Sequence, residues 1–479
     1  MRLGQTSAVY FMAKFLGSII GFVATVVFAR FLGEAVLGQY ATVLALWTWL
    51  AVAGRVGISE SITKRLSEGE EIGAYGAAGL ILIGGVTITI ALAVVVFGEV
   101  VNGYVGAPVA GLLATILVIS VLSTFGKSAL QGRHLVHISA ILGPLSELFR
   151  GFLQISFISV GYGLQAMLGS YAAAKLLTSL IAFKYIDFRL TLPTKRHFNS
   201  LFDFAKFSWL GNIQSRVFGT LDILLLKYFV ASNLVGIYSV AWSIGLILDI
   251  FGNAIQSTLF PEISKVSSEG KTEKIAGLTE DALAFTGLFL IPGFVGGLIV
   301  GDRLLRVYGD GFAIGTDVLA ILICALLIYT YTKQLLNTLN AVDRPDLAFK
   351  TNAVFIGSNV VLNITLISMY GWVGAATATL LSGVVGITVS GYYVNDLIAV
   401  SPPLREIGRQ WAAAVVMGGA VYGTRLATES YWVSTYNLPY LLGLVTVGAV
   451  VYFGVLLAIS TRFRTTMANN MPLAVSRWN

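Results

Sequence analysis

Charge is scarce in this chain. Of its 479 residues only 11% are Asp, Glu, Lys or Arg, against about 25% in an ordinary soluble domain. The shortage argues against a water-soluble globular protein. Apolar residues make up 56% of the chain and the mean hydropathy is +0.82, more than one core of this size can hide from water. Cysteine is nearly absent: Cys324 stands alone in an apolar run. That leaves no disulfide framework and no thiolate metal site, and a lone buried thiol reads as packing. Histidine is as sparse. His134, His137 and His197 lie in or beside short charged connections and read as surface residues. His134 and His137 are three apart, with nothing nearby to complete a metal set. No P-loop and no long hydrophilic segment is present, so neither an ATPase motor nor a catalytic domain outside the membrane is expected. No cofactor and no nucleic-acid partner is expected either.

Long apolar runs are what the chain has in quantity. A membrane span needs about 20 mainly apolar residues. Fourteen are predicted, at 7–29, 36–58, 77–98, 108–129, 138–160, 163–185, 205–228, 234–258, 276–300, 313–337, 347–368, 372–395, 407–426 and 438–460. The first run carries Lys14 early, stays apolar to Phe28 and leads straight into the second. A secretory signal has a short apolar core and a small-residue cleavage site, so this run is read as a retained span.

Basic residues test the count. With the N-terminus placed in the cytoplasm, twenty Lys and Arg, Lys127 among them, are assigned to cytoplasmic connections and the span ends flanking them. Five (Arg30, Lys227, Arg303, Arg306 and Arg425) are assigned to the opposite side and its flanking span ends, and the remaining six to the spans themselves. This positive-inside bias supports fourteen spans with both termini cytoplasmic.

The chain also repeats itself. Leu37-Gly38-Gln39-Tyr40 matches Val235-Gly236-Ile237-Tyr238, and Lys64 to Gly69 matches Lys265 to Gly270, at offsets of 198 and 201 residues. Six spans separate equivalent points, an even number, so both halves enter the membrane with the same polarity. Such parallel repeats build paired bundles around a central site in transporters. The expected organisation is a six-helix lobe over 1–186, a cytoplasmic linker over 187–204, a second six-helix lobe over 205–396, two additional spans within 407–460 and a cytoplasmic tail over 461–479. The basic linker suits an anionic inner leaflet. The predicted fold class is therefore an all-α polytopic membrane protein.

Several stretches carry a family resemblance. They are Ala29-Arg30-Phe31-Leu32-Gly33 followed by Gly38-Gln39-Tyr40, then Val56-Gly57-Ile58-Ser59 and Leu130-Gln131-Gly132-Arg133. The second half adds Leu221 to Leu226 and Val235 to Ala241. With these the chain resembles the polysaccharide transporter branch of the multidrug/oligosaccharidyl-lipid/polysaccharide exporter superfamily. The resemblance implies twelve to fourteen helices in two lobes around a central cavity. It also implies flipping of an undecaprenyl- or dolichyl-linked sugar across the plasma (inner) membrane. Implied partners are a polyprenyl- or dolichyl-phosphate-linked sugar, membrane lipids and glycan-assembly enzymes.

Six basic residues lie where charge is costly: Lys14, Arg55, Arg150, Lys175, Arg216 and Lys333. Lys14, Arg55 and Lys333 either face a cavity or snorkel to the headgroups. Arg150 either serves cargo or pairs with Glu147, three residues away on the same helix face. Lys175 has the further option of being neutral and buried. Arg216 has fewer structural explanations. A cationic interior suits phosphate or pyrophosphate, which arginine grips with its bidentate fork. Asn253 and Gln256, with Asn337, Asn359 and Asn363, either bind sugar hydroxyls or hydrogen-bond between helices. Gly293, Gly296 and Gly297 after Pro292 are read as a flexible section of the ninth span. The candidate substrate-binding set is Arg55, Arg216, Lys14, Arg150, Lys333, Asn253 and Gln256.

The favoured function is a secondary-type transporter, not an enzyme: a flippase for a lipid-linked oligosaccharide or polysaccharide repeat unit, working by alternating access. Its coupling ion, if one exists, is not readable. The alternative is a cation-coupled multidrug or small-molecule exporter. The resemblance implies that such relatives bind cations with intramembrane carboxylates, and Asp222 or Asp249 would then face the cavity.

Overall fold

The computed structural model describes the backbone of residues 3–55, 57–208, 214–432 and 437–470, and the side chains of 21–55, 57–205, 220–429 and 437–468. Among the described residues all regular structure is helical. A long apolar chain in lipid must satisfy its backbone polar groups internally, and helices do so within each segment. The helices fall into two units, residues 1–239 and 240–479.

The first unit holds α1 (Leu3–Arg55), α2 (Ile58–Glu68), α3 (Ile72–Val96), α4 (Gly98–Val105), α5 (Ala110–Gly132), α6 (Val136–Ser159), α7 (Leu164–Lys184), α8 (Lys195–Ser208), α9 (Gln214–Phe229) and the start of α10 (Ser232–Leu248). The second unit continues with α11 (Ile250–Ser268), α12 (Thr272–Thr286), α13 (Leu290–Leu305), a 3-10 turn (Asp310–Gly315), α14 (Thr316–Ala341), α15 (Pro345–Ile398), α16 (Leu404–Trp432), α17 (Asn437–Ile459) and α18 (Thr461–Asn470).

Two of these helices each contain two predicted spans. In α1 the backbone breaks at Gly33 (φ 77°, ψ 174°), and in α15 at Gly371 (φ 58°, ψ −135°). Both φ values lie where a side chain is strained and glycine is not. Among the described residues nine helices are long and apolar enough to cross a membrane, and α10 with α11, bent by 46°, make a tenth. Each of the fourteen predicted spans overlaps described helix; residues 209–213 of the seventh lie outside the described residues.

Residues 195–208, mostly within the predicted linker, form the amphipathic helix α8. Leu201 and Ala205 of α8 pack with Ile62, Leu66, Tyr75 and Phe125. His197 is no surface residue: it is 4% exposed. Its Nε2 lies 3.0 Å from a Glu71 carboxylate oxygen, its Nδ1 accepts the Thr194 N–H at 3.0 Å, and Tyr75 meets its ring edge-on. The polar partners satisfy the ring, so burial carries no orphaned group. Lastly, the section around Gly293 is regular helix. The break falls earlier, at 287–289. Pro292 sits in the first turn of α13, where its missing N–H costs nothing, and Gly293 packs against Leu248.

Gly38 and Gly236, equivalent positions of the repeat, touch one another. A Cβ on Gly38 would lie 1.8 Å from the Ser232 carbonyl oxygen, and one on Gly236 would lie 1.9 Å from the Glu34 carbonyl oxygen. The contact is reciprocal, as in a two-fold interface: Glu34 and Gly38 meet Gly236 and Ser232.

In the second unit, α16 is fastened to α13 by charge. Arg425 donates to both Asp302 carboxylate oxygens at 2.9 and 3.0 Å and to Glu429 at 3.2 Å. Arg303 also donates to Glu429, at 2.5 Å.

Candidate functional site

A polar cavity of about 410 Å³ lies within the first unit. Its walls come from five helices. The end of α1 supplies Trp47 and Arg55, and α2 supplies Ser59, Glu60 and Thr63. From α5 come Ser123, Thr124, Lys127, Ser128 and Gln131. Ser146 and Glu147 line it from α6, and Lys175, Thr178 and Ser179 from α7. The three-and-four spacing along α5 and α7 puts these polar side chains on one face of each helix, so the apolar remainder of each span is left for packing. Gly57, at φ 76°, turns the chain between α1 and α2 beside the cavity. A Cβ there would lie 2.4 Å from the Ala205 carbonyl oxygen.

Two cations at the cavity, Lys175 and Arg150, lie against aromatic rings. Lys175 Nζ lies 4.7 Å from the Trp47 ring centre and 4.9 Å from that of Tyr171. Trp47 and Tyr171 themselves meet edge-on at 5.4 Å. Ring faces attract an ammonium, so Lys175 is held in place. Arg150 pairs with Glu147 and lies 5.8 Å from Tyr171. That ion pair is one of the two alternatives open for Arg150 from the sequence. Counting Arg150, four cations (Arg55, Lys127, Arg150, Lys175) stand around two carboxylates (Glu60, Glu147). The surplus is positive, and hydroxyl groups surround it. Chemically, such a wall suits an anion joined to a polyhydroxylated group.

The predicted site residues divide. Arg55 lines the cavity and Arg150 borders it through Glu147. The side chains of Lys14 and Arg216 lie outside the described residues. Lys333, Asn253 and Gln256 belong to the second unit. There Lys333 is paired with Asp249 at 2.5 Å and donates to Asn253 at 3.0 Å. The backbone oxygen of Gln256 accepts from Asn337 at 3.4 Å. Asn359 donates to Ser382 at 3.1 Å and Asn363 to Asn359, tying together the two halves of α15. Asp222 is buried and accepts from Tyr238 at 3.1 Å.

Sequence reasoning missed Lys127, Trp47, Gln131 and the hydroxyl lining. Lys127 was counted among the residues of a connection, though it lies within α5. The available signal was the polar stripe Thr124, Lys127, Ser128 and Gln131, repeating at helical spacing in an otherwise apolar span.

Comparisons with known proteins agree with this architecture. A family described as polysaccharide biosynthesis protein matches residues 3–267. The chain is 28% identical over 468 residues to a probable flippase, AglR, of Haloferax volcanii, covering 97% of each chain. It is 28% identical over 427 residues to a probable low-salt glycan biosynthesis flippase, Agl15, of the same organism, covering 88% of this chain and 90% of that one. Among solved structures, the lipid II flippase MurJ in an inward closed conformation superposes with a TM-score of 0.81 at 17% identity, over 96% of this chain and 100% of that one. An inward-facing multidrug resistance MATE family transporter gives 0.64 at 14% identity, over 80% and 96%. At these identities the structural likeness concerns the fold.

Proposed function

We propose, from the premise that this chain belongs to the polysaccharide biosynthesis protein family, that it flips a lipid-linked oligosaccharide across a membrane. It is a transporter and carries out no covalent chemistry. The observation that carries this reading is the cavity in the first unit, where a positive surplus is ringed by hydroxyls inside a bundle of apolar helices. A lipid-linked sugar presents a charged phosphate joint between an apolar tail and a polar head. Arginine and lysine match the joint, hydroxyls and Gln131 match the sugar, and the tail needs only lipid.

On this reading Arg55, Lys175 and Lys127 meet the phosphate, with Arg150 held ready by Glu147. Lys14, Arg216, Lys333, Asn253 and Gln256 complete the proposed cargo path. The carrier is a polyprenyl or dolichyl phosphate, and glycan-assembly enzymes supply and consume it. The chain resides in the plasma membrane with both termini cytoplasmic, and two six-helix lobes, 1–186 and 205–396, alternate access. Cation-coupled drug export is less favoured, because Asp222 and Asp249 are engaged by Tyr238 and Lys333.

The test is reconstitution in liposomes. A lipid-linked oligosaccharide should cross at a rate proportional to protein, while the same sugar without lipid should not. Equal movement of both, or of neither, overturns the proposal.

A further inference from the structure

Asp249 stands at the 46° break between α10 and α11 and is 2% exposed. Its Oδ1 lies 2.6 Å from the Thr330 hydroxyl. Its Oδ2 accepts from Lys333 Nζ at 2.5 Å and from Asn253 Nδ2 at 3.0 Å. Lys333 also donates to Asn253 Oδ1 at 3.0 Å and lies 5.4 Å from the Tyr329 ring centre. Thr330, Lys333 and Asn253 all donate to the carboxylate, so its oxygens are met by hydrogen-bond donors.

The other charged groups on the neighbouring helices lie apart from the pair along their helices or are engaged elsewhere. α10 carries none before Asp249. On α11, Glu262 and Lys265 lie more than three turns away. On α12, Glu280 accepts the Ser401 N–H and Asp281 pairs with Arg462, while Glu273 and Lys274 sit in its first turn. On α13, Asp302 and Arg303 are engaged with Arg425 and Glu429. On α14, Asp317 is in the first turn. On α15, Asp346 and Lys350 lie in the first two turns and Asp396 in the last. Among the described residues Lys333 and the Tyr329 phenol are the titratable groups that interact with Asp249.

The pair constrains what either member can do. A proton on Asp249 would leave the Lys333 ammonium without its counter-ion, and breaking a buried pair from one side is strongly destabilising. Taking Lys333 away would leave a buried carboxylate uncompensated, for the same reason. Both costs vanish if a second anion reaches Lys333 while a proton reaches Asp249. The Lys333 side chain keeps 15% exposure and that of Asp249 only 3%, so of the two the lysine is the one a second anion would meet first.

We propose that Lys333 and Asp249 form an anion–proton exchange site. A phosphodiester takes over the Lys333 ammonium, and Asp249 takes one proton from water in the same step. The site is neutral before, as ammonium and carboxylate, and neutral after, as ammonium with phosphodiester beside a carboxylic acid. Naming the anion as the phosphodiester of a lipid-linked sugar rests on the flippase reading. The exchange also frees the α10–α11 break from its tie to α14. By linkage, one proton taken up per phosphodiester makes the apparent Kd fall tenfold for each unit that pH is lowered, across the window where Asp249 is ionised without the anion and protonated with it.

The experiment is calorimetry on the full chain in detergent, with farnesyl phosphoryl glucose and, separately, dimethyl phosphate as probes. Neither phosphodiester titrates between pH 5.5 and pH 8. Repeating each titration in buffers of different ionisation enthalpy counts the protons taken up. About one is expected for the wild type and for Lys333→Arg, and none for Asp249→Asn, which should bind with pH-independent affinity. Binding by the wild type without proton uptake overturns the exchange, whatever the variants do. If the lipid-linked sugar is flipped in liposomes with no proton taken up, the exchange fails and the flippase reading stands. If dimethyl phosphate draws a proton but lipid-linked sugar is not flipped, the reverse holds. If neither probe binds, the exchange fails, and the liposome assay alone decides the flippase reading.

Discussion

Replacing Arg55 with alanine removes one guanidinium from the cavity wall shared by α1, α2, α5, α6 and α7. Arg55 is half-buried at the last turn of α1, on the same cavity as Lys127 and Lys175. Its loss relieves like-charge repulsion, so folded protein should be as abundant as before. Cargo is affected differently. A hydrogen bond to a charged group is worth about 1.5–3 kcal/mol, and each 1.36 kcal/mol is tenfold in rate. Initial flipping should therefore fall roughly ten- to a hundredfold. Arg55→Lys keeps the charge and loses the fork, so it should recover only part. The assay is the initial flipping rate per folded transporter in liposomes, at cargo well below saturation. Wild-type rates in both variants would refute the reasoning and leave Arg55 as a headgroup anchor.

Gly38→Ala places a methyl 1.8 Å from the Ser232 carbonyl oxygen, and the helices must part. A loss of at least about 1–3 kcal/mol is expected, the usual scale for overpacking. Adding Gly236→Ala should cost less than a second full increment, because the sites share one contact; strict additivity in thermal unfolding would contradict this. Asp187 receives Arg133 through two bonds of 3.2 Å, and that hydrogen bonding holds its carboxyl below the usual carboxylate range. The pair's stabilisation is thus present above the ordinary Asp value and fades as pH falls through the lowered one. Both groups are solvent-exposed, so the term stays under about 1 kcal/mol. Asp187→Asn should remove that acid-side component from denaturation curves, and an unchanged curve would speak against it. Arg425→Ala strands Asp302 in a half-buried place and should cost about 1–3 kcal/mol, seen as a lower Tm that Arg425→Lys partly restores. An unaltered Tm for the alanine variant would mean the cluster contributes nothing.

Much of the fold could be read from the chain because lipid imposes one rule on every span. Length and hydropathy locate the helices, and the glycines at 33 and 371 mark where the backbone breaks within two of them. The site was less legible. Arg55 and the Arg150–Glu147 pair were accessible, since a charge in an apolar run is conspicuous and a three-residue spacing is local. Lys333 and Asp249 were each visible, but their pairing joins residues 84 apart and depends on how α11 lies against α14. His197 was misread because its partner, Glu71, is 126 residues away. Lys127 was misplaced because a lysine near a span end looks the same whether it points to headgroups or into a cavity. Periodicity along one helix is written in sequence; contact between helices is not.

The Arg425 cluster also sets a timetable. Asp302 and its cation are separated by 123 residues. A ribosome adding about 5–20 residues each second delivers the arginine roughly 6–25 s after the aspartate. During that interval α13 has to stand with its terminal carboxylate facing solvent or headgroups. The nascent chain therefore has a moment at which its first thirteen helices are made and one seam is still open. Any factor that escorts this protein during synthesis has a place and an interval in which to act, and a ribosome stalled between residues 302 and 425 would leave that seam open.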